Sequence, residues 1–294
     1  MDVRLAYHPE GDRTKPDVRL AATTAMVNNS AHSGKYRYPH HKDRKDGGEI
    51  LAPALLVSYV YLEQFLKSRH KYHFRDWVLD SGAFSAHNSG TEIKLQEYID
   101  CCKELMETDG TLTEIFALDV IGDWKASLRN VEEMWRQGVP AIPAFHPLYE
   151  PMSVAVGLAK DYPKIAIGGI VGIGIKQKMH LVGQTFARVW PKRIHGFGIS
   201  SKQMVLGFPF HSVDATNWEM RPCAFGRWAS FGKMSVRGSK QNLRSEVEYY
   251  LKLEREARSR WSKEMRLVEE EDGCDIRLAV VPHTKRQTSS FSKE

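Results

Sequence analysis

Residues able to do chemistry recur at one kind of place in this chain, just after a short apolar run. Asp80-Ser81-Gly82-Ala83-Phe84 follows Trp77-Val78-Leu79, Asp119 follows Phe116-Ala117-Leu118, and His146 follows Ala144-Phe145. Further on come Gly168-Gly169-Ile170-Val171-Gly172, His195-Gly196-Phe197-Gly198 and Val213-Asp214-Ala215. Two carboxylates facing one cleft can break a glycosidic bond. One attacks the anomeric carbon and the other manages the proton of the leaving group, so that configuration is retained through a covalent intermediate. An N-glycosidic bond to a purine obeys the same logic, with the base as leaving group. Asp80, Asp119 and Asp214 are the candidate carboxylates. Gly168, Gly169 and Gly172 permit close backbone approach to a flat ligand, and Phe84 and Phe197 can stack on its faces.

Each residue also has a plainer use. An Asp after a strand often caps the next helix, paired glycines serve tight turns, and Phe usually ends in a core. His146, which precedes Pro147, can be an ordinary strand-end histidine. Three aspartates at equivalent positions speak against independent capping.

The elements that must hold these residues follow from the apolar segments Leu55–Tyr59, Trp77–Asp80, Ile115–Asp119, Ala141–Phe145, Ile165–Gly169, Ile194–Ile199 and Ser212–Ala215. Between most of them apolar residues recur at helical steps, as in Leu95, Tyr98, Cys102 and Leu105. Alternating strands and helices predict an α/β protein with a parallel sheet, and the number of strands favours a (β/α)₈ TIM-like barrel over an open doubly wound sheet. In such a barrel the strand ends converge on one mouth. The eighth strand falls near Ala224–Trp228 or, alternatively, within Val18–Val27. A helix is expected from Asn242 to about Glu270, with Leu243, Val247, Tyr250, Trp261, Met265 and Val268 on one stripe. The predicted organisation is an N-terminal arm or lid (1–50), the barrel (51–270) and a polar tail (271–294).

Composition narrows the classes. The 294 residues are 42% hydrophobic and 27% charged, the balance of a soluble globular protein. No apolar run approaches the roughly 20 residues that span a bilayer, and the N-terminus has no signal-peptide pattern, so a cytoplasmic protein is expected. The four cysteines form no CxxC or CxC pair, which predicts neither disulfides nor a structural zinc site. The net charge of +6 favours a polyanion partner. Basic residues cluster at Lys42, Arg44 and Lys45, and again at Arg227, Lys233, Arg237, Lys240 and Arg244. Trp228 and Phe231 interleave the second cluster, a mixture suited to phosphates and stacked bases. A solvated surface accounts for either cluster taken alone.

The segments Asp80-Ser81-Gly82-Ala83-Phe84, Leu118-Asp119, Gly168-Gly169-Ile170-Val171-Gly172, Phe197-Gly198 and Val213-Asp214 resemble, in motif and in order, those of the tRNA-guanine transglycosylase superfamily. The resemblance spans roughly residues 77–218. It implies a (β/α)₈ barrel enzyme that exchanges guanine in nucleic acid for a 7-deazaguanine such as preQ0 or preQ1, without a cofactor. It further implies that Asp214 attacks C1′ and that Asp80, held by Ser81 and Gly82, handles the proton. Asp119 would read the base edge, Gly169 and Ile170 would offer backbone groups, and Phe84 and Phe197 would stack. The chain departs from the tRNA enzymes in three ways: His146 stands near the family's Gln, the Cys-x-Cys-x-x-Cys…His zinc motif is missing, and Ala215-Thr216-Asn217-Trp218 replaces Pro-Thr-Arg. These departures resemble the compact DNA-guanine transglycosylases of the DpdA group, often viral and then acting in the host cytoplasm. DNA is therefore the expected partner, with Arg227, Trp228, Lys233, Arg237 and Lys240 as nucleic-acid contacts. The same exchange on tRNA, a barrel glycoside hydrolase and a non-catalytic nucleic-acid-binding module are the alternatives.

Overall fold

A computed structural model describes residues 15–22, 51–71, 73–218 and 244–275. Eight strands build one all-parallel curled sheet: β1 Asp17–Ala22, β2 Leu55–Ser58, β3 Trp77–Asp80, β4 Leu112–Ile115, β5 Ala144–Phe145, β6 Lys164–Ile167, β7 Arg193–Gly196 and β8 Ser212–Ala215. Their order is β4-β3-β2-β1-β8-β7-β6-β5. The two outermost strands approach each other beyond their ends. Phe116 and Ile142 form a parallel bridge, Ile142 N–H donates to Ile115 O (2.8 Å), and Ala117 N–H donates to Ile142 O (2.9 Å). This α/β architecture is compatible with a TIM-like barrel.

Helices follow most strands, as the 3.6-residue periodicity requires. They are α1 Leu62–Ser68, α2 Ala83–Ser89, α3 Leu95–Thr108, α4 Trp124–Arg136, α5 Met152–Asp161, α6 Ile175–Val189 and α7 Lys202–Val205. Asp123 caps α4 by accepting from Ala126 N–H (3.0 Å). In α3 the buried side chains are Tyr98, Ile99, Cys102 and Leu105, the stripe turned to the sheet. Cys101 and Cys102 are free thiols, and burial pushes Cys102 up to about 12. After α7 and β8 come α8 Arg244–Arg260 and α9 Ser262–Asp275, which meet at Trp261. No helix among the described residues is long and apolar enough to cross a membrane.

The sheet sorts its side chains by alternation. Leu55, Val57, Leu79, Ile165, Ile167, Ile194 and Val213 join the large core against the helices. On the inner face a smaller apolar cluster forms from Ala21, Leu56, Val78, Phe116, Ile142 and Ala166. The inner face is apolar only at mid-height. Toward the strand starts lie Asp17, Asp76, Glu114 and Lys164, with the Arg19 side chain reaching Asp17 and Asp76 from mid-strand, and toward the strand ends lie Asp80, His146 and Asp214.

Three expectations are corrected. The fourth strand is Leu112–Ile115 rather than Ile115–Asp119, because inward-facing Glu114 interrupts the apolar pattern that marked the others. A strand does lie within the 18–27 stretch: β1 sits between β2 and β8, so residues 17–22 belong to the sheet and not to an arm. Residues 224–228 lie outside the described residues. The C-terminal helix is two helices, continuing to Asp275 inside the segment assigned to the tail, and its Val247, Tyr250, Met265 and Val268 are buried.

Candidate active site

Asp80 ends β3 opposite Ser58 of β2. The chain then turns through Gly82 with φ +77°, a left-handed conformation that favours glycine. A Cβ at Gly82 would lie 2.7 Å from Ser58 Oγ and 3.0 Å from Val60, so both space and backbone require glycine there. The turn brings Gly82 N–H to Asp80 Oδ2 (3.2 Å) and starts α2. Burial, and then the charges of Asp119 and Asp214, push the Asp80 carboxyl up to about 7 against the backbone hydrogen bonds of Gly82 and Ser81. Both its acid and its carboxylate forms are therefore within reach near neutral pH.

Asp214, on the inner face of β8, is buried and accepts from Gly198 N–H at Oδ1 (2.8 Å). Gly198 has φ +66°, which turns that N–H toward the carboxylate. His195 Nε2 stands 3.5 Å from the same Oδ1, too long for a formed hydrogen bond, and it has no nearer partner among the described residues. His195 Nδ1 lies 2.8 Å from Ser212 Oγ. Ser212 Oγ accepts from Lys164 Nζ (2.9 Å), which also donates to both Glu114 oxygens (2.8 and 2.7 Å). Although desolvation of the half-buried Glu114 works against it, Lys164 holds its carboxyl well below the ordinary range. Burial draws Lys164 down to about 8 against the pull of Glu114, which leaves it mainly cationic at neutral pH. Burial also lowers His195, which is neutral there.

Asp119 completes a carboxylate trio. Ser81 O–H donates to its Oδ1 (3.4 Å), and His146 Nε2 lies 3.2 Å from its Oδ2. The other His146 nitrogen, Nδ1, lies 2.8 Å from Glu150 Oε1. Burial lowers His146, but the hydrogen bonds and charges of Asp119 and Glu150 outweigh it and hold the ring at about 9. The imidazolium thus donates to two carboxylates. Gly168 and Gly169 lie directly over it: a Cβ at either would be 3.0–3.2 Å from the His146 side chain.

The remaining sequence-derived residues divide. Phe197 is half-buried, with its ring 4.7 Å from both Phe116 and His195, so it lines the inner face. Phe84 is 60% exposed on α2. Ile170 is buried in the outer core, which leaves only its backbone for a ligand. His146 has both ring nitrogens engaged, Nε2 by Asp119 and Nδ1 by Glu150. Arg227, Trp228, Lys233, Arg237 and Lys240 lie outside the described residues. Among the described residues no group of three His, Cys, Asp or Glu side chains is placed to hold a metal ion.

No family model matches the chain, and no curated protein does. The chemical reading rests on the geometry alone. Three carboxylates, Asp214 buried and Asp80 and Asp119 half-buried, share one end of a sheet and only Asp119 is matched by a cation, which is an arrangement for moving a proton beside an anion. Sequence reading missed Ser58, Glu114, Glu150, Lys164 and Ser212. Each is a polar residue beside an apolar run, and only the inward alternation of the strands marks Ser58, Glu114, Lys164 and Ser212.

Proposed function

We propose that the protein is a base-exchanging transglycosylase that replaces guanine in DNA with a 7-deazaguanine. The observation that carries this reading is the placement of Asp80, whose carboxyl is pushed up to about 7 by burial and by the charges of Asp119 and Asp214, at the same strand ends as Asp214, which is already hydrogen-bonded at one oxygen. We read the curled sheet as a (β/α)₈ barrel closed at the Phe116–Ile142 bridge, with these groups at its mouth.

In the proposed reaction a carboxylate oxygen of Asp214 attacks C1′ of the target nucleoside. The bond from C1′ to guanine N9 breaks, its electron pair leaves with the base, and protonated Asp80 supplies the proton. The glycosyl ester then meets the incoming 7-deazaguanine. Ionised Asp80 takes the proton from its N9, N9 attacks C1′, and Asp214 leaves as a carboxylate. The exchange is redox-neutral and returns both carboxyl groups to their starting states. Asp119, pinned by His146, would accept N–H donors from the base edge. Gly168 and Gly169 would let the base lie against backbone, with Phe197 below it.

A guanine within a duplex must be flipped out to reach such a mouth, at a cost of a few kcal/mol recovered from phosphate contacts and stacking. The basic and aromatic stretch from Arg227 to Lys240 follows β8 in sequence and suits that task. The missing zinc motif sets the chain apart from the tRNA enzymes it resembles. Labelled guanine should be supplied with double-stranded DNA, single-stranded DNA and tRNA separately at matched salt. Label is expected in DNA. Label in tRNA alone would keep the chemistry and reject the DNA assignment, and label in none would overturn the function.

A further inference from the structure

The inner floor of the sheet carries a hydrogen-bonded file that ends on Asp214, and proton counting gives it one consistent direction. Lys164 spends its three N–H groups on Glu114 Oε1, Glu114 Oε2 and Ser212 Oγ. Ser212 Oγ is therefore an acceptor toward Lys164 and still has its own hydrogen to place. His195 Nδ1, 2.8 Å away, is the acceptor that the described residues offer it. If Nδ1 carried the ring proton instead, the serine hydrogen would be stranded in a fully buried site, and a bare Nε2 lone pair would face the Asp214 carboxylate. The stranded hydroxyl alone would cost about 1–3 kcal/mol.

We propose that His195 is a positioning residue for the reacting carboxylate, fixed by Lys164 and Ser212 as the Nε2–H tautomer so that it directs a hydrogen-bond donor at Asp214 Oδ1. Gly198 N–H supplies the second donor to the same oxygen. Both donors converge on Oδ1, which orients Oδ2 as the attacking oxygen. The groups that face this arrangement are Lys164 and Ser212 from β6 and β8, Glu114 from β4, Asp80 from β3 and Arg19, which is level with Asp214 on β1. Phe116 and Phe197 flank the imidazole at 4.7 Å and keep water from it, which favours the neutral ring. The inference rests on the base-exchange reading for its rate consequences and on the hydrogen-bond inventory for the tautomer.

The two levels are tested separately. Nitrogen-15 NMR of histidine-labelled wild-type protein should find His195 protonated at Nε2 and unprotonated at Nδ1 from about pH 6.5 to 8. Ser212→Ala should release that preference. An Nδ1–H tautomer in the wild type would overturn the proposal whether or not any base is exchanged. His195→Phe should lower kcat about 10- to 100-fold, the usual scale for a group that orients a reacting one, with KM for the base unchanged. It should also move the acidic limb of the rate profile up by about one pH unit as the carboxylate loses a donor. His195→Gln, which keeps an N–H near Nε2, should restore most of the rate and the original limb. Should the Phe variant misfold, the Gln variant and the tautomer measurement still decide. A Phe variant with slower turnover but an unmoved limb would reduce His195 to packing. A wild type that exchanges no base would sink the function proposal and leave the tautomer result standing.

Discussion

Asp76 and Asp80 bracket the four-residue strand β3 and meet opposite fates. Asp76 accepts from the Arg19 and Arg75 guanidinium groups, and those cations lower its pKa although burial works against them. Around it Asp17 accepts from Arg19, Arg75, Arg258 and Lys15, and Glu254 accepts from Arg75, Arg258 and Val18 N–H. Asp17 is likewise held well below the ordinary range in spite of complete burial. At the other end of the strand, Asp80 faces two further carboxylates with no cation of its own and rises to about 7. One residue type in one strand thus serves two purposes, set by the counter-charges at each end. Saturated charge at the strand starts holds the sheet together, while unsaturated charge at the strand ends leaves a carboxyl poised to exchange a proton, at the expense of stability.

The largest effect should come from the reactive end. Asp214→Asn is expected to reduce base exchange to background and to eliminate any protein–DNA adduct trapped in denaturant, with unchanged circular dichroism. Substantial turnover by that variant would remove Asp214 from the chemistry. Asp80→Asn should slow exchange on the order of 10²–10⁴-fold, the range of general acid–base catalysis, and should abolish the titration near pH 7 in kcat. Next in size is a loss at the saturated end. Asp76→Asn leaves Arg19 and Arg75 undercompensated and should destabilise the fold by about 3–5 kcal/mol in denaturant titrations, while kcat at a permissive temperature stays near the wild-type value. Equal stability in the two proteins would refute the division between the ends.

The smallest effect is the most discriminating because its sign is unusual for a buried substitution. A carboxyl with a raised folded-state pKa loses stability as pH climbs from about 4 to about 7, where the unfolded chain has ionised and the folded one still holds its proton. Asp80→Asn removes that penalty. The variant should be more stable than wild type at pH 8 by roughly 2–4 kcal/mol, the scale of a three-unit shift, with the difference gone near pH 4. Melting curves at the two pH values measure it. A variant that is less stable at both would show that Asp80 carries no burial penalty.

Much of the reactive end is legible in the sequence, and little of the saturated end is. Asp80, Asp119, His146, Gly168 and Asp214 each close an apolar run, so the run marks a strand and its last residue marks the mouth. β1 reads Asp-Val-Arg-Leu-Ala-Ala, and its inward Asp17 and Arg19 disguise a central strand as a polar segment. Glu114 and Lys164 meet across 50 positions of chain, a distance at which a single sequence carries no pairing signal. The same holds for His195, whose neighbours along the chain are apolar while its side-chain partners, Ser212 and Asp214, come from β8.

The seam between β1 and β8 has a consequence for biosynthesis. Arg19 and Asp214 are level across that seam, and the α8 carboxylate of Glu254 grips Val18 N–H from 236 positions further on. Contacts between such distant parts of a chain form late, because a long loop must close before they are rewarded. During synthesis the strand bearing Asp214 emerges long after β1, and the helix that locks β1 emerges later still. Until then β1 exposes an unpaired edge, a template for pairing with another chain. The surroundings of Asp214 are therefore assembled at the end of folding, and a nascent chain stalled before α8 would be prone to aggregate and would lack the clasp that fixes the strand beside Asp214.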